Sequence, residues 1–153
     1  MISDLDQLVD GSIQRVFDTM VNMKVEEGCT ESVKGKMATA ASVSFAGDQD
    51  GVVYLYFVDP LDKVVCTSMV GLEEDELDQS IINDVLGEIA NMVVGQIKTI
   101  LCDRGYNCCL SIPSILRGVD LSVYSKSTKR KSTSFNVNGY PFGVEFFMKA
   151  ENN

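Results

Sequence analysis

The chain has 153 residues, 45% of them hydrophobic and 23% charged, enough to bury one core and too few to argue for two, so 1–153 reads as a single domain. A net charge of −9 excludes a nucleic-acid footprint, which needs clustered Lys and Arg, and favours a partner with a basic or metal-bearing site. There is no histidine, which removes Ser-His-Asp and Cys-His catalysis, histidine acid/base chemistry and most transition-metal sites.

Ser3 can cap a first helix running to about Met23. Leu5, Leu8, Val9, Ile13, Val16, Phe17, Met20 and Val21 follow helical spacing along it. Residues 26–36 are polar and contain Gly28 and Gly35. Met37–Ala46 and Val52–Val58 read as two strands of a hairpin, joined by Gly47-Asp48-Gln49-Asp50-Gly51. Pro60 opens a short helix to about Met69, and Gly71 ends it.

A long helix follows from about Asp75 to Cys102, terminated by Arg104-Gly105. The runs Cys108–Ile112, Val119–Ser125, Thr133–Val137 and Val144–Lys149 read as strands. Asn138-Gly139 is the turn of a second hairpin. The one basic cluster, Lys126, Lys129, Arg130 and Lys131, is interleaved with Ser and Thr and reads as a solvated loop. Hairpins dominate and no βαβ alternation appears. The expected class is therefore α/β in the α+β sense: a layered sandwich with a mostly antiparallel sheet and two long helices packed on it.

A degenerate internal repeat supports this layout. Asp10, Gln14 and Phe17 on the first helix stand at the spacing of Asp84, Glu88 and Asn91 on the long one. The second strands of the two hairpins also echo each other, as Gly51-Val-Val-Tyr and Gly143-Val-Glu-Phe.

No G-x-x-x-x-G-K-[ST] or G-x-G-x-x-G occurs, so nucleotide binding has no support. The five cysteines, Cys29, Cys66, Cys102, Cys108 and Cys109, contain no C-x-x-C pair and read as free thiols in a reducing compartment. The acidic N-terminus lacks the basic and apolar regions of a signal peptide, and no apolar run reaches the ~18–20 residues of a membrane span. The expected location is the cytoplasm.

The most informative segment is Asp84-Val-Leu-Gly-Glu88-Ile-Ala-Asn91-Met-Val-Val-Gly95. On a helix, Asp84, Glu88, Asn91 and Gly95 fall at roughly 0°, 40°, 340° and 20°, one narrow stripe. Val85, Leu86, Ile89, Ala90, Val93, Ile97, Ile100 and Leu101 fill the opposite side. Gly87 and Gly95 inside the helix each cost about 1 kcal/mol relative to Ala, so both need a reason. Close helix–sheet packing and a docking surface are the two candidates.

The spacing Asp84-x3-Glu88-x2-Asn91 resembles the [D/S]-x3-E-x2-N signature of the CheC/CheX/FliY family of chemotaxis phosphatases. The first helix ending Val16-Phe17-Asp18-Thr19-Met20-Val21, the segment Ser111–Gly118 and Gly139-Tyr140-Pro141-Phe142-Gly143 are similar to CheX segments as well. CheC members carry two motifs and CheX members one. Gln14 and Phe17 stand where the first helix would need Glu and Asn, so the pattern is that of CheX, with a CheC-like sandwich fold.

The resemblance implies a phosphatase acting on the aspartyl-phosphate of a CheY-like response regulator. Asn91 would position the attacking water and Glu88 would dock the lysine of the regulator's active site. Asp84 and Gly95 would assist partner docking. It implies no cofactor or metal of its own, Mg²⁺ carried by the phosphorylated partner, and a homodimer joined through sheet edges. The alternative is a non-catalytic module that binds response regulators or sits with the flagellar switch. The sequence does not say which regulator is the substrate, whether the pathway is chemotaxis or another two-component system, or how activity is regulated.

Overall fold

The computed structural model describes residues 4–28, 34–126 and 128–149. Ser3 and Cys29 lie outside them. Helix α1 covers Leu5–Val16 and continues as a π-helical turn over Phe17–Val21, ending at Asn22 in the left-handed conformation. The short strand β1 (Val25–Glu27) follows, then the hairpin β2 (Met37–Gly47) and β3 (Gly51–Val58). Helices α2 (Leu61–Val70) and α3 (Gln79–Asp103) flank a 3-10 turn at Glu74–Glu76. Strands β4 (Cys108–Leu110), β5 (Ser114–Val119), β6 (Thr128–Val137) and β7 (Tyr140–Lys149) complete the chain.

The seven strands of the described residues join one antiparallel sheet, in the order β1-β6-β7-β3-β2, with β4 and β5 lying end to end along the far side of β2. The echo between the hairpins has a structural counterpart. Strands β3 and β7 meet antiparallel at the sheet centre, with Leu55 opposite Val144 and Val53 opposite Phe146, as a pseudo-twofold between two half-domains requires.

Alternation sets the two faces of the sheet. Ala41, Val43, Phe45, Val53, Leu55, Phe57, Phe142, Val144 and Phe146 point to the helices and join the core. Phe142 is the hub. Its ring lies 5.2 Å from Phe17, 5.1 Å from Phe57 and 6.2 Å from Phe135. Edge-tilted aromatic contacts of this kind add about 0.5–1.5 kcal/mol each to the burial of the rings.

Several boundaries differ from the sequence expectation. The long helix begins at Gln79 rather than Asp75, because the Asp78 side chain accepts from Ile81 N–H at 2.8 Å and caps it there. The acidic run before it closes on itself, as Glu76 accepts from Glu73 N–H at 3.0 Å. The expected strand Val119–Ser125 is replaced by β5, Ser114–Val119. Asp120 takes φ +51°, and its carboxylate accepts from Gly35 N–H at 2.8 Å, ending the strand. Lys129, Arg130 and Lys131 stand on β6 and not in a loop, where Arg130 Nε donates to the buried Glu145 at 2.7 Å. The thiols of Cys66, Cys102, Cys108 and Cys109 are free.

By length and composition α3 could cross a membrane, but half of its most apolar stretch is buried within the fold. Its apolar side rests on the sheet and on α1, burying Leu86, Ile89, Val93, Val94, Ile97 and Leu101 completely. Each such side chain contributes about 1.5–3 kcal/mol. Its two ends are also tied. Arg104, just past the last turn, donates twice to Asp4 at 2.7 Å, binding the end of α3 to the start of α1.

Candidate functional site

With the apolar side of α3 committed to the core, the Asp84–Gly95 stripe faces out. Asp84 and Glu88 are exposed, while Asn91 and Gly95 are half-buried. The side chains of Asp84, Glu88 and Asn91 make no hydrogen bond or ion pair with any described residue. Three polar groups in line, on a rigid helix and with none of their donors or acceptors committed, form a surface ready for an external ligand. One turn on, Thr99 donates to the carbonyl of Gly95 at 3.0 Å and so holds its own hydroxyl down against the helix.

The two interior glycines have different reasons. A Cβ at Gly87 would lie 3.3 Å from Pro113 Cβ and 3.6 Å from Pro113 Cγ, so Gly87 lets the β4–β5 connection pack against the helix. A Cβ at Gly95 would meet none of the described residues within 4 Å. Packing thus accounts for Gly87 and leaves Gly95 open, a bare patch of helix backbone at the end of the stripe.

The connection that Gly87 receives is built into the sheet on both sides. Ser111 N–H donates to Ser44 O at 2.9 Å, and Ser111 Oγ accepts from Ser44 N–H at 3.0 Å. Ser114 then pairs with Ser42 at the start of β5. Between these ties stands Ile112, 84% exposed. Sequence reasoning placed this segment in a strand ending at Ile112 and did not connect it with the site. The only signal was the small residue at 87, whose neighbour could not be known without the fold.

The first helix offers no second stripe. Phe17 is fully buried against Phe142, and Gln14 Nε2 donates to Val25 O at 3.2 Å, spending its amide on β1. Elsewhere, a cavity of about 510 Å³ is lined by Tyr56, Arg130, Ser132, Glu145 and Lys36, none of them a stripe residue. Two of these lining residues are bonded to each other, Tyr56 Oη donating to Glu145 Oε1 at 2.5 Å.

The family model described as "Chemotaxis phosphatase CheX" matches residues 39–136. Among solved structures, the fold is similar to a CheC-like superfamily protein from Shewanella sp. PV-4, with a TM-score of 0.82 and 22% identity over 98% of this chain and 100% of that one. It is similar to the chemotaxis protein CheX of Vibrio vulnificus, with a TM-score of 0.82 and 19% identity over 96% and 97% of the two chains. It is also similar to the Borrelia burgdorferi CheX in a CheX–CheY–BeF₃–Mg²⁺ complex, with a TM-score of 0.75 and 16% identity over 94% and 97%. No curated protein matches the chain in sequence.

Proposed function

The chain belongs to the CheX family of chemotaxis phosphatases, and we propose that it hydrolyses the aspartyl-phosphate of a CheY-like receiver domain, with Asn91 positioning the attacking water and Glu88 docking the receiver's active-site lysine. The observation that carries this reading is the uncommitted polar stripe of α3, with the open backbone of Gly95 at its end.

An aspartyl phosphate is an activated acyl phosphate, so its hydrolysis needs positioning more than a new nucleophile. The Asn91 carboxamide can accept a hydrogen bond from water through its oxygen while its NH₂ donates to a phosphoryl oxygen. Water held in this way attacks phosphorus as the bond to the aspartate oxygen breaks. The electron pair leaves with the carboxylate, and the protons of the water pass to the phosphate product. Glu88 stands one turn away and would pair with the receiver's active-site lysine, fixing the approach. Asp84 helps orient the partner, and Gly95 lets its backbone come close.

The divalent cation in this scheme belongs to the partner. In the Borrelia relative's structure, CheX is in complex with CheY, BeF₃ and Mg²⁺. Among the described residues here, no group of three His, Cys, Asp or Glu side chains could hold a metal ion. We further place the protein in the cytoplasm as one phosphatase domain over 1–153, and as a homodimer joined at sheet edges. Strand β5 supports the last point. It pairs only with β2 among the described residues, and Leu116, Val119 and Met37 are exposed there.

The test is phosphate release from a phosphorylated CheY-type receiver, with and without the protein, using Asn91→Ala as the control. Acceleration by the wild type and none by the variant supports the reading. Binding of the phosphorylated receiver without acceleration would make the protein a non-catalytic module.

A further inference from the structure

We propose that Ile112 is the apolar anchor by which this protein holds the receiver domain beside the stripe. The inference rests on the functional reading above and extends it to a second element, the β4–β5 connection.

Its position follows from two contacts. Gly87 and Asn91 are four residues apart and therefore neighbours on the surface of α3. Pro113 packs on Gly87, so the connection runs along the flank of the stripe one turn from Asn91. Ile112 is the next residue, and at 84% exposure it contrasts with the fully buried Ile13, Ile89 and Ile97.

A single exposed aliphatic side chain is ordinary. What sets this one apart is how it is held. Ser111 is fixed to Ser44 by two hydrogen bonds, and its Oγ also donates to the carbonyl of Ile112 at 2.9 Å. Pro113 fixes its own φ, restricts the backbone of Ile112 before it, and packs against the helix at Gly87. The side chain is thus presented on a rigid support, and docking it costs little further ordering. Glu88 and Asp84 supply the charged part of the same surface, and the polar stripe with an apolar knob at its side has the make-up of a small recognition patch. The occupant we assign is the phosphorylated receiver, through an apolar surface next to its phosphorylation site.

The test measures steady-state dephosphorylation against receiver concentration. It also measures calorimetric affinity for the receiver activated with beryllofluoride and Mg²⁺. Wild type, Ile112→Ala, Ile112→Asp and Asn91→Ala are compared, with circular dichroism confirming that each is folded. Ile112→Ala is expected to raise KM and Kd together about tenfold with kcat nearly unchanged, and Ile112→Asp to raise them further. Asn91→Ala is expected to do the reverse, losing kcat and keeping Kd. Wild-type turnover with an unaltered KM in both Ile112 variants overturns the anchor and leaves the functional reading standing. A shift in oligomeric state with unaltered receiver affinity overturns it too, making Ile112 a contact between copies. A wild-type protein that neither binds nor dephosphorylates the receiver overturns both.

Discussion

Pro113 occupies the space that a side chain at position 87 would need. A methyl group at Gly87 would stand 3.3 Å from Pro113 Cβ, whereas one at Gly95, two turns along the same helix, would touch none of the described residues within 4 Å. The two glycines of one helix are therefore there for different reasons, and a pair of alanine substitutions separates them.

Gly95→Ala gains helix propensity without a clash and should raise stability by about 0.5–1 kcal/mol. The same methyl group stands on the proposed docking surface, so affinity for the receiver should fall. Gly87→Ala gains the same propensity but presses on a proline whose neighbours are fixed. Overpacking costs about 1–3 kcal/mol, so a net destabilisation of about 1 kcal/mol is expected. Urea denaturation of the two variants checks both signs. A Gly95→Ala variant that is more stable and equally tight in binding would remove Gly95 from the interface.

Asn91→Ala should lower turnover about 10²-fold or more, the range seen when a group aimed at a transition state is removed. Stability should change by no more than about 0.5 kcal/mol, because the amide makes no hydrogen bond to any described residue. Glu88→Ala should weaken affinity and turnover together. Raising salt should weaken the wild-type complex in the same direction, since a Glu–Lys contact across an interface is partly electrostatic. Enzyme assays at 50 and 500 mM salt, beside thermal melts, make the comparison. An Asn91→Ala variant that fails to fold would make Asn91 a core residue and sink the assignment.

The stripe was legible in the sequence because it depends only on helical geometry: four positions spaced 4, 3 and 4 apart on a segment whose other faces are apolar. The hairpins were legible because β3 and β7 are dense in β-formers and the turns carry Gly or Asn-Gly. Strand β5 was not. Ser114-Ile-Leu-Arg-Gly-Val119 looks like a loop, and it becomes a strand only by pairing with Met37–Ser42, far earlier in the chain. Its alternation is also disguised, since Arg117, exposed at the sheet edge, reaches the buried Asp62 on α2 at 3.6 Å where an apolar residue would be expected. The same non-local pairing brings Ile112 and Pro113 to the site, so no local pattern could announce them.

Alkaline pH should destabilise the protein through a buried thiol. Burial, aided by the nearby Asp62, pushes the Cys66 thiol up from 9.0 to about 12. The folded state then holds its proton more tightly than the unfolded chain does. The corresponding stability is full below about pH 9 and is lost as pH rises towards 12. Burial and the Glu145 contact raise the Tyr56 hydroxyl in the same sense. Urea midpoints measured from pH 8 to 11 should fall, and Cys66→Val should flatten the decline. A Cys66→Val variant with the wild-type pH dependence would show that the thiol is not the cause.

One receiver should bind per chain, because α1 has spent both positions that a second site would need. Phe17 is packed into the aromatic hub around Phe142, and Gln14 donates its amide to Val25 O at 3.2 Å, stitching α1 to β1. The second contact changes what Gln14→Ala should do. As a free surface amide it would be neutral; as the donor to a strand carbonyl it should cost about 0.5–1.5 kcal/mol of stability. Turnover should be unaffected in the variant, since α1 touches the receiver nowhere in the proposed scheme. Calorimetric titration with the beryllofluoride-activated receiver supplies the stoichiometry, and urea denaturation supplies the stability. Two receivers per chain, or a large loss of kcat in a Gln14→Ala protein that is still folded, would show that the first helix retains a working site despite Phe17.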